Sequence, residues 1–462
     1  MDCEIAVVGG GIAGLSCAWR LQRAGREVLL LEAGARAGGN IQTREREGFR
    51  FERGPHTFMA SAADVFSLIE EVGLDDELVA TLPAAGDRFI VRDGRLHRAP
   101  TGLGSFLTTR LLSWRAKWKL AGEPLRTRRR GHPGESAADF FARRFGPEAG
   151  RVLAGAFIAG VYAGDPEQLS APAAFPLFWR FEQERGSMIR GALALKRERR
   201  AERRRGGAAA RRPRRGLFSL AGGLGRLSQG VAERLGPALR TDAAVEAVAR
   251  EDGGYRIEGA AGTLHSRRLV LAVPPPQAAR LAAMLDAGLA EPLAGVPMAP
   301  VAVVHLGFAE RQPAVPDGFG FLAPRGEGVR TLGVLFPSRL FADRTPPGGD
   351  LLSGFVGGML DREALAHDDE ALVSIVRDDL QRLTGLEQPP QWVEVARYPH
   401  AIPQLTLGHL ERMERVRQRL GDLSGLALAG NYLRGVGVKD AVGAGFAAAA
   451  ALAGASEVEE RA

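Results

Sequence analysis

The 462-residue chain is 45% hydrophobic and 25% charged, with a net charge of +7. These are the proportions of a globular protein with two or three domains, and they exclude a disordered or fibrous chain. The basicity is local: Arg190 to Arg215 carries twelve Lys/Arg against Glu198 and Glu202, and the rest of the chain stands at −3. A nucleic-acid surface spread over the whole protein is therefore not expected. Cys3 and Cys17 are the only cysteines, which excludes a disulfide framework or a cysteine-based zinc cluster and fits the reducing cytoplasm. No run reaches the roughly 20 apolar residues of a membrane span. The best candidate, Ala441 to Ala455, is short and rich in Ala and Gly, and reads as a closely packed helix. The N-terminus enters a strand directly, with no basic region or cleavage site of a signal peptide.

In chain order, Glu4 to Val8 is an apolar run suited to a buried parallel strand. It leads through Gly9-Gly10-Gly11-Ile12-Ala13-Gly14 into a helical pattern, and a second strand, Val28 to Leu31, ends at Glu32. In such a unit Gly9 makes the tight turn, Gly11 admits backbone to a pyrophosphate, and Gly14 lets helix pack on strand. The helix N-terminus faces phosphate charge and Glu32 accepts from a ribose. A second glycine pair follows in Ala33-Gly34-Ala35-Arg36-Ala37-Gly38-Gly39, an R-x-G-G pattern that brings more backbone to an elongated cofactor. The pattern points to FAD rather than a nicotinamide. With both cysteines in the first βα unit, none is placed elsewhere for a covalent flavin link, so FAD is expected to be held non-covalently.

Residues 62–82 read as an amphipathic helix and turn, and Arg92-Asp93-Gly94 as a hairpin turn between Phe89-Ile90-Val91 and Arg95-Leu96-His97. Residues 103–200 are mostly helical in pattern. A helix is expected near 225–235, and strands at Val245 to Val248, Tyr255 to Ile257 and Leu269 to Val273. Strand-like runs between 300 and 360 suggest an antiparallel sheet. The tail offers a strand at Leu426 to Ala429 and a closing helix from about 440.

Further segments carry a resemblance. Gly54-Pro55-His56-Thr57-Phe58, Tyr162-Ala163-Gly164-Asp165-Pro166, Gly318-Phe319-Gly320-Phe321-Leu322 and Phe355-Val356-Gly357-Gly358 occur in that order. Ala401-Ile402-Pro403-Gln404, Leu407-Gly408-His409-Leu410 and Gly430-Asn431-Tyr432 follow. Together they resemble the oxygen-dependent protoporphyrinogen oxidases over nearly the whole chain, failing mainly across the basic insert. The resemblance implies an α/β protein with a Rossmann-like FAD-binding domain, a substrate domain on an antiparallel sheet and a helical membrane-associating domain. The corresponding boundaries are 1–85, 217–292 and 396–462 for FAD; 86–99 and 293–395 for substrate; 100–190 for the helical domain; and 191–216 for the insert. The implied reaction takes six electrons and six protons from a porphyrinogen, with O2 as acceptor and hydrogen peroxide as product.

Carried over residue by residue, the resemblance implies that Arg88 pairs with a propionate, a task suited to a guanidinium. Leu322 and Leu335 would sandwich one pyrrole, Phe355 would stack on another, and Gly160 would offer backbone near the reacting carbon. FAD would meet Gly9 to Gly14, Glu32, Ala33, Arg36, Gly39, Gly54, Pro55, His56, Thr57, Val245, Tyr398, Gly430, Val436, Gly437 and Val438. Two positions depart from the pattern. His56 replaces a common asparagine, and an imidazole there either accepts the released pyrrole proton or only packs and hydrogen-bonds. Tyr398 replaces a common tryptophan and keeps an aromatic wall.

Residues 103–119 mix Leu103, Phe106, Leu107, Leu111, Leu112, Trp114 and Trp118 with Arg110, Arg115, Lys117 and Lys119. This suits an interfacial helix at an anionic membrane surface, and the resemblance places membrane attachment in the same region, on the inner face. The basic run Lys196 to Arg205 extends as a helix ended by Gly206-Gly207. It reads as a solvated spacer first, a contact for anionic lipid second, and a dock for a haem-pathway partner third; no aromatics interleave it for nucleic acid. The relatives often pair as homodimers. Coproporphyrinogen III, an amine or carotenoid substrate, and a non-catalytic porphyrin carrier are the alternative readings of function.

Overall fold

The computed structural model describes residues 2–126, 131–204 and 216–454. The first sheet is built on the strand Cys3–Val8, whose residues are nearly all buried. It pairs in parallel with Val28–Leu31 on one side and Gly262–Leu271 on the other. Leu239–Arg240 extends one edge in parallel, and Leu426–Leu428 pairs with Gly262–Leu271. A hairpin of Val245–Glu251 and Gly254–Gly259 adds two antiparallel strands. The continuous Val/Ile/Leu runs are what a sheet covered on both faces requires. Helix Ile12–Arg23 lies on one face, sandwiched by Gly225–Leu235 and the closing helix Val438–Gly454. The closing helix approaches so near that a Cβ on Gly445 would stand 2.2 Å from Ser16 Oγ, which accounts for the small residues of that segment.

The second sheet has the order Trp392–Pro403, Met298–Phe308, Asp350–Gly357, Gly333–Leu335, Gly320–Leu322, Phe89–Arg92, Arg95–Arg98. It is mixed rather than purely antiparallel, because Phe89–Arg92 and Gly320–Leu322 run parallel. These two strands are separated by more than 200 residues of chain, so no hairpin dictates their direction. Strand Trp392–Pro403 pairs along its length with Met298–Phe308, so the sheet runs across the boundary expected at 396. One sheet face is closed by helix Asp369–Thr384 through Leu372, Val376 and Leu380, which meet Ala302, Val304, Leu352 and Val356. The other face is left for the site. Asp93 and Gly94 both have positive φ, the geometry of the expected Asp-Gly hairpin.

Residues 103–200 are helical as expected, but the stretch 103–119 is not one helix. Leu103–Thr108 and Trp114–Ala121 are separate. Leu111 and Leu112 turn inward, and Ser113 caps the second helix by accepting from the Ala116 N–H at 3.2 Å. Lys117, expected to face lipid, is buried, with Nζ donating to the Leu107 carbonyl at 2.7 Å and lying 4.4 Å from the Trp114 ring. Trp114, Trp118 and Leu125 remain 63%, 76% and 82% exposed. The basic helix spans Met188–Arg204 with Lys196, Arg197 and Arg200 exposed. Arg205, the expected Gly206-Gly207 stop and the return to Pro213 lie outside the described residues. Both cysteines are free and buried.

Candidate active site

The nucleotide end is assembled as the glycine spacing requires. Gly9 has φ +106°, and a Cβ there would strike the Ala272 carbonyl at 2.6 Å. Gly14 packs so tightly that a Cβ would sit 1.9 Å from Gly9 O, whereas the Cβ direction of Gly11 meets open space. The helix beginning at Ile12 therefore presents uncovered backbone N–H groups at its positive end. Ile12 and Ala13 are buried in its first turn. Glu32 is oriented by two backbone donors: Gly10 N–H donates to Oε2 at 2.7 Å and Gly34 N–H to Oε1 at 2.8 Å. Each oxygen keeps a lone pair for a ribose hydroxyl. Ala33 and Arg36 are exposed beside it, and Arg36 has no ion-pair partner among the described residues. Gly38 N–H donates to Gly10 O at 2.7 Å, tying the second glycine pair to the first loop, and Gly39 lies against Gly11. A cavity of about 570 Å³ continues from Arg36 past Gln42, Arg44, Gly225 and Arg226.

Gly54 stacks on this loop at the Asn40 carbonyl, placing Pro55, His56 and Thr57 at the junction with the second sheet. His56 is buried, and its Nε2 has no hydrogen-bond partner. Burial, reinforced by the nearby Arg344 cation, pushes its pKa down to about 3, so the imidazole is neutral at physiological pH. Its ring meets Phe355 edge-on at 6.1 Å. Val245 lies at the sheet edge with its carbonyl accepting from Arg280 at 3.0 Å. The late loop is held by Asp440, whose Oδ2 accepts from Val436 N–H at 3.2 Å and Gly437 N–H at 2.9 Å. Asn431 donates to Val436 O at 3.1 Å. Val438 then opens the closing helix, and Gly430 lies against the Tyr432 ring, whose buried hydroxyl also lacks a partner. Open space at Gly11, and an Arg36 and polar atoms of His56 and Tyr432 without partners among the described residues, fit an elongated, anionic, ring-bearing cofactor.

The second sheet supplies the rest. Its register places Ala396, Val303, Phe355, Gly333, Leu322 and Ile90 in one transverse row. Leu335, Gly320 and Ser353 form the next row on the same face, since side chains alternate with period two. Phe355, Leu322 and Leu335 thus share one partly exposed face. Opposite stands helix Gly155–Tyr162, pressed so close at Gly160 that a Cβ would lie 2.2 Å from Leu322 Cδ2. Tyr398 joins this face across from Val301, half-buried, and burial raises its phenol pKa while the nearby Arg53 cation opposes the rise. Arg88 is at the rim, exposed, 5.1 Å from the Phe319 ring and without an ion-pair partner among the described residues.

Phe355, Leu335 and Leu322 therefore share one sheet face against which the Gly160 helix packs, with His56 edge-on to Phe355 and Arg88 exposed beside Phe319. Sequence reasoning missed Asp440, although its place three residues after Gly437 is the reach-back spacing of a capping box. It also missed Arg344, a buried guanidinium 3.7 Å from Glu52 that bonds Asp343 and Ser219. Nothing local in the sequence distinguishes Arg344 from a surface arginine.

A family model for flavin containing amine oxidoreductases matches residues 12–453. The chain is 34% identical to the chloroplastic protoporphyrinogen oxidase of Nicotiana tabacum, over 98% of this chain and 86% of that one. It is 31% identical to the coproporphyrinogen III oxidase of Propionibacterium freudenreichii, over 95% and 89%. Among solved structures, a protein of Exiguobacterium sp. 255-15, provisionally assigned as a protoporphyrinogen oxidase, superposes with a TM-score of 0.83 at 29% identity, covering 99% of both chains.

Proposed function

The chain belongs to the flavin containing amine oxidoreductase family, and we propose that it is a porphyrinogen oxidase acting on protoporphyrinogen IX with O2 as the acceptor. Family membership implies FAD; non-covalent binding of one FAD per chain is part of this reading. The observation that carries it is this shared face, which with the Gly160 helix against it we read as a substrate slot. A largely apolar macrocycle with acidic side chains needs greasy walls and a cation at the edge, and Phe355, Leu335, Leu322 and Gly160 with Arg88 meet that need. The overall change is protoporphyrinogen IX plus three O2 giving protoporphyrin IX plus three hydrogen peroxide. Bound FAD would accept two electrons from the ring in each of three rounds.

The protein's own residues supply position and exclusion of water. Glu32, Arg36, the Gly9–Gly14 loop, Gly54 to Thr57 and the Val436–Val438 loop would hold the nucleotide and flavin. Leu322 and Leu335 wall one pyrrole and Phe355 another. Arg88 fixes a propionate by charge-assisted bonds. His56, neutral and with its pKa pushed down to about 3, is too weak a base to hold a pyrrole proton and in this reading packs against Phe355 and offers Nε2 as a hydrogen-bonding atom. The exposed Trp114, Trp118 and Leu125 belong in the same reading to a surface that rests on a membrane, which suits poorly soluble porphyrins. Among the described residues no helix is long and apolar enough to cross a bilayer.

An anaerobic half-reaction tests the proposal. Protoporphyrinogen IX mixed with the yellow protein is expected to bleach the flavin, and air to restore it with porphyrin fluorescence and peroxide. A flavin that stays oxidised would refute the porphyrinogen reading. Faster bleaching by coproporphyrinogen III, the substrate named for one relative, would reassign the substrate.

A further inference from the structure

The helix that presents Gly160 ends in an unusual way. Ala163, its C-terminal cap, has φ 46° and ψ 33°, a left-handed conformation that a residue with a Cβ adopts only when its surroundings impose it. Two contacts do so. Gln404 is fully buried, and its Nε2 donates to the Tyr162 carbonyl at 2.7 Å and to the Ile402 carbonyl at 3.1 Å. Met359 N–H donates to the Ala163 carbonyl at 2.8 Å. Two carbonyls that a helix end leaves orphaned are thus satisfied from the second sheet. Gln404 follows strand Trp392–Pro403, and Met359 follows the strand that carries Phe355. Gln404 is itself anchored, its N–H donating to Pro297 O at 2.8 Å. Three residues before the latch, Gly160 meets Leu322.

We propose that Gln404 is a positioning residue: with Met359 it latches the Gly155–Tyr162 helix to the sheet and thereby fixes where Gly160 stands against Leu322 at the wall of the slot. A glutamine suits the task because the acceptors are both carbonyls, and an amide N–H2 offers two donors from one atom without bringing a buried charge. The strained Ala163 keeps the helix end from drifting, since the latch and the left-handed turn exist only together. This inference rests on the porphyrinogen reading of the slot.

The test is a double-mutant cycle on the reductive half-reaction, using full-length FAD-loaded protein and protoporphyrinogen IX. Gln404→Met, which keeps length and removes the amide, is expected to lose about 10-fold in the rate of flavin bleaching per substrate concentration. Reoxidation of the dithionite-reduced protein by O2 should be unchanged. Gly160→Ala alters the same slot, so the double variant should lose far less than the product of the two single losses. Should Gln404→Met fail to fold, Gln404→Asn, which keeps the amide but shortens its reach by one methylene, is expected to lose several-fold in the same quantity. Wild-type bleaching by a folded Gln404→Met protein, unchanged bleaching by Gln404→Asn where Gln404→Met does not fold, or independent effects in the double variant, would overturn the latch. A wild-type protein that does not bleach at all overturns instead the reading on which the latch rests.

Discussion

Arg88 and Gly160 would serve the proposed slot in different ways. Arg88 is exposed and has no ion-pair partner among the described residues, so Arg88→Ala should leave the melting temperature unchanged while removing the proposed charged hydrogen bond, worth about 1.5–3 kcal/mol. The expected outcome is a KM for protoporphyrinogen IX raised roughly 10- to 100-fold by steady-state assay, with Arg88→Lys in between. Gly160 sits mid-helix, where alanine is the better helix former by up to about 1 kcal/mol. Its added methyl would nevertheless displace the Leu322 side chain. Gly160→Ala should therefore hold or raise stability and still lower kcat/KM by about 10-fold, a split that ordinary core disruption does not produce. His56 was legible as a departure, but its burial and orphaned Nε2 were not, because those depend on Phe355 and Arg344, hundreds of residues away.

At the scale of elements, His305 illustrates linkage. It lies in the fully buried strand Met298–Phe308, its Nδ1 shares a 2.9 Å hydrogen bond with Ser353 Oγ, and burial pushes its pKa to about 3, with His56 and Arg53 adding smaller effects. The folded value is below the unfolded one, so the unfolded chain takes up the proton first. Stability contributed by the neutral ring is full above about pH 6.5 and is lost as pH falls toward 3, at about 1.4 kcal/mol per pH unit within that window. Urea midpoints measured between pH 7 and 4 should fall, and His305→Asn should flatten the slope. A second element-scale device is the buried Glu123 carboxylate. It pairs with Arg144, accepts from Ser187 Oγ, and takes the Met188 N–H at 2.9 Å and the Ile189 N–H at 3.2 Å. It thus caps the basic helix and ties it to the tryptophan-bearing segment. Glu123→Ala leaves the buried Arg144 guanidinium with only the longer Glu182 contact at 3.4 Å, and a loss toward the lower end of about 3–5 kcal/mol is expected, measurable by denaturation. The hydrophobic pattern of 103–119 announced helix and not the break, because the inward turn of Leu111 and Leu112 is dictated by Val152 and Ala156 beneath them.

For the whole molecule, the exposed Trp114, Trp118 and Leu125 lie beside the root of the basic helix at Glu123. Co-sedimentation with anionic phospholipid vesicles should show binding that weakens with salt, and Trp114→Ser with Trp118→Ser should reduce it several-fold without changing flavin content. The two large sheets are joined by a docked loop. Arg344 enters the first domain beside Glu52, and Asp343 accepts from Arg50 at 2.9 Å and from the Gly222 N–H at 3.1 Å. This contact holds the glycine-loop domain and the second sheet in one frame.

The parallel strands, the two glycine turns, Glu32 and the Asp-Gly hairpin were determined by sequence alone, because each rests on contacts within a few residues or on a short repeat of apolar side chains. Strand-like runs between turn clusters likewise placed Phe355 and Leu335 on strands. The tertiary structure decided what faced them: the register that aligns Phe355, Gly333 and Leu322, the approach of Gly160, the parallel pairing of Phe89–Arg92, the burial of Lys117, and the Gln404 latch. Each of these joins segments tens to hundreds of residues apart, and long-range packing is set by which surfaces exclude water together, which local pattern does not specify.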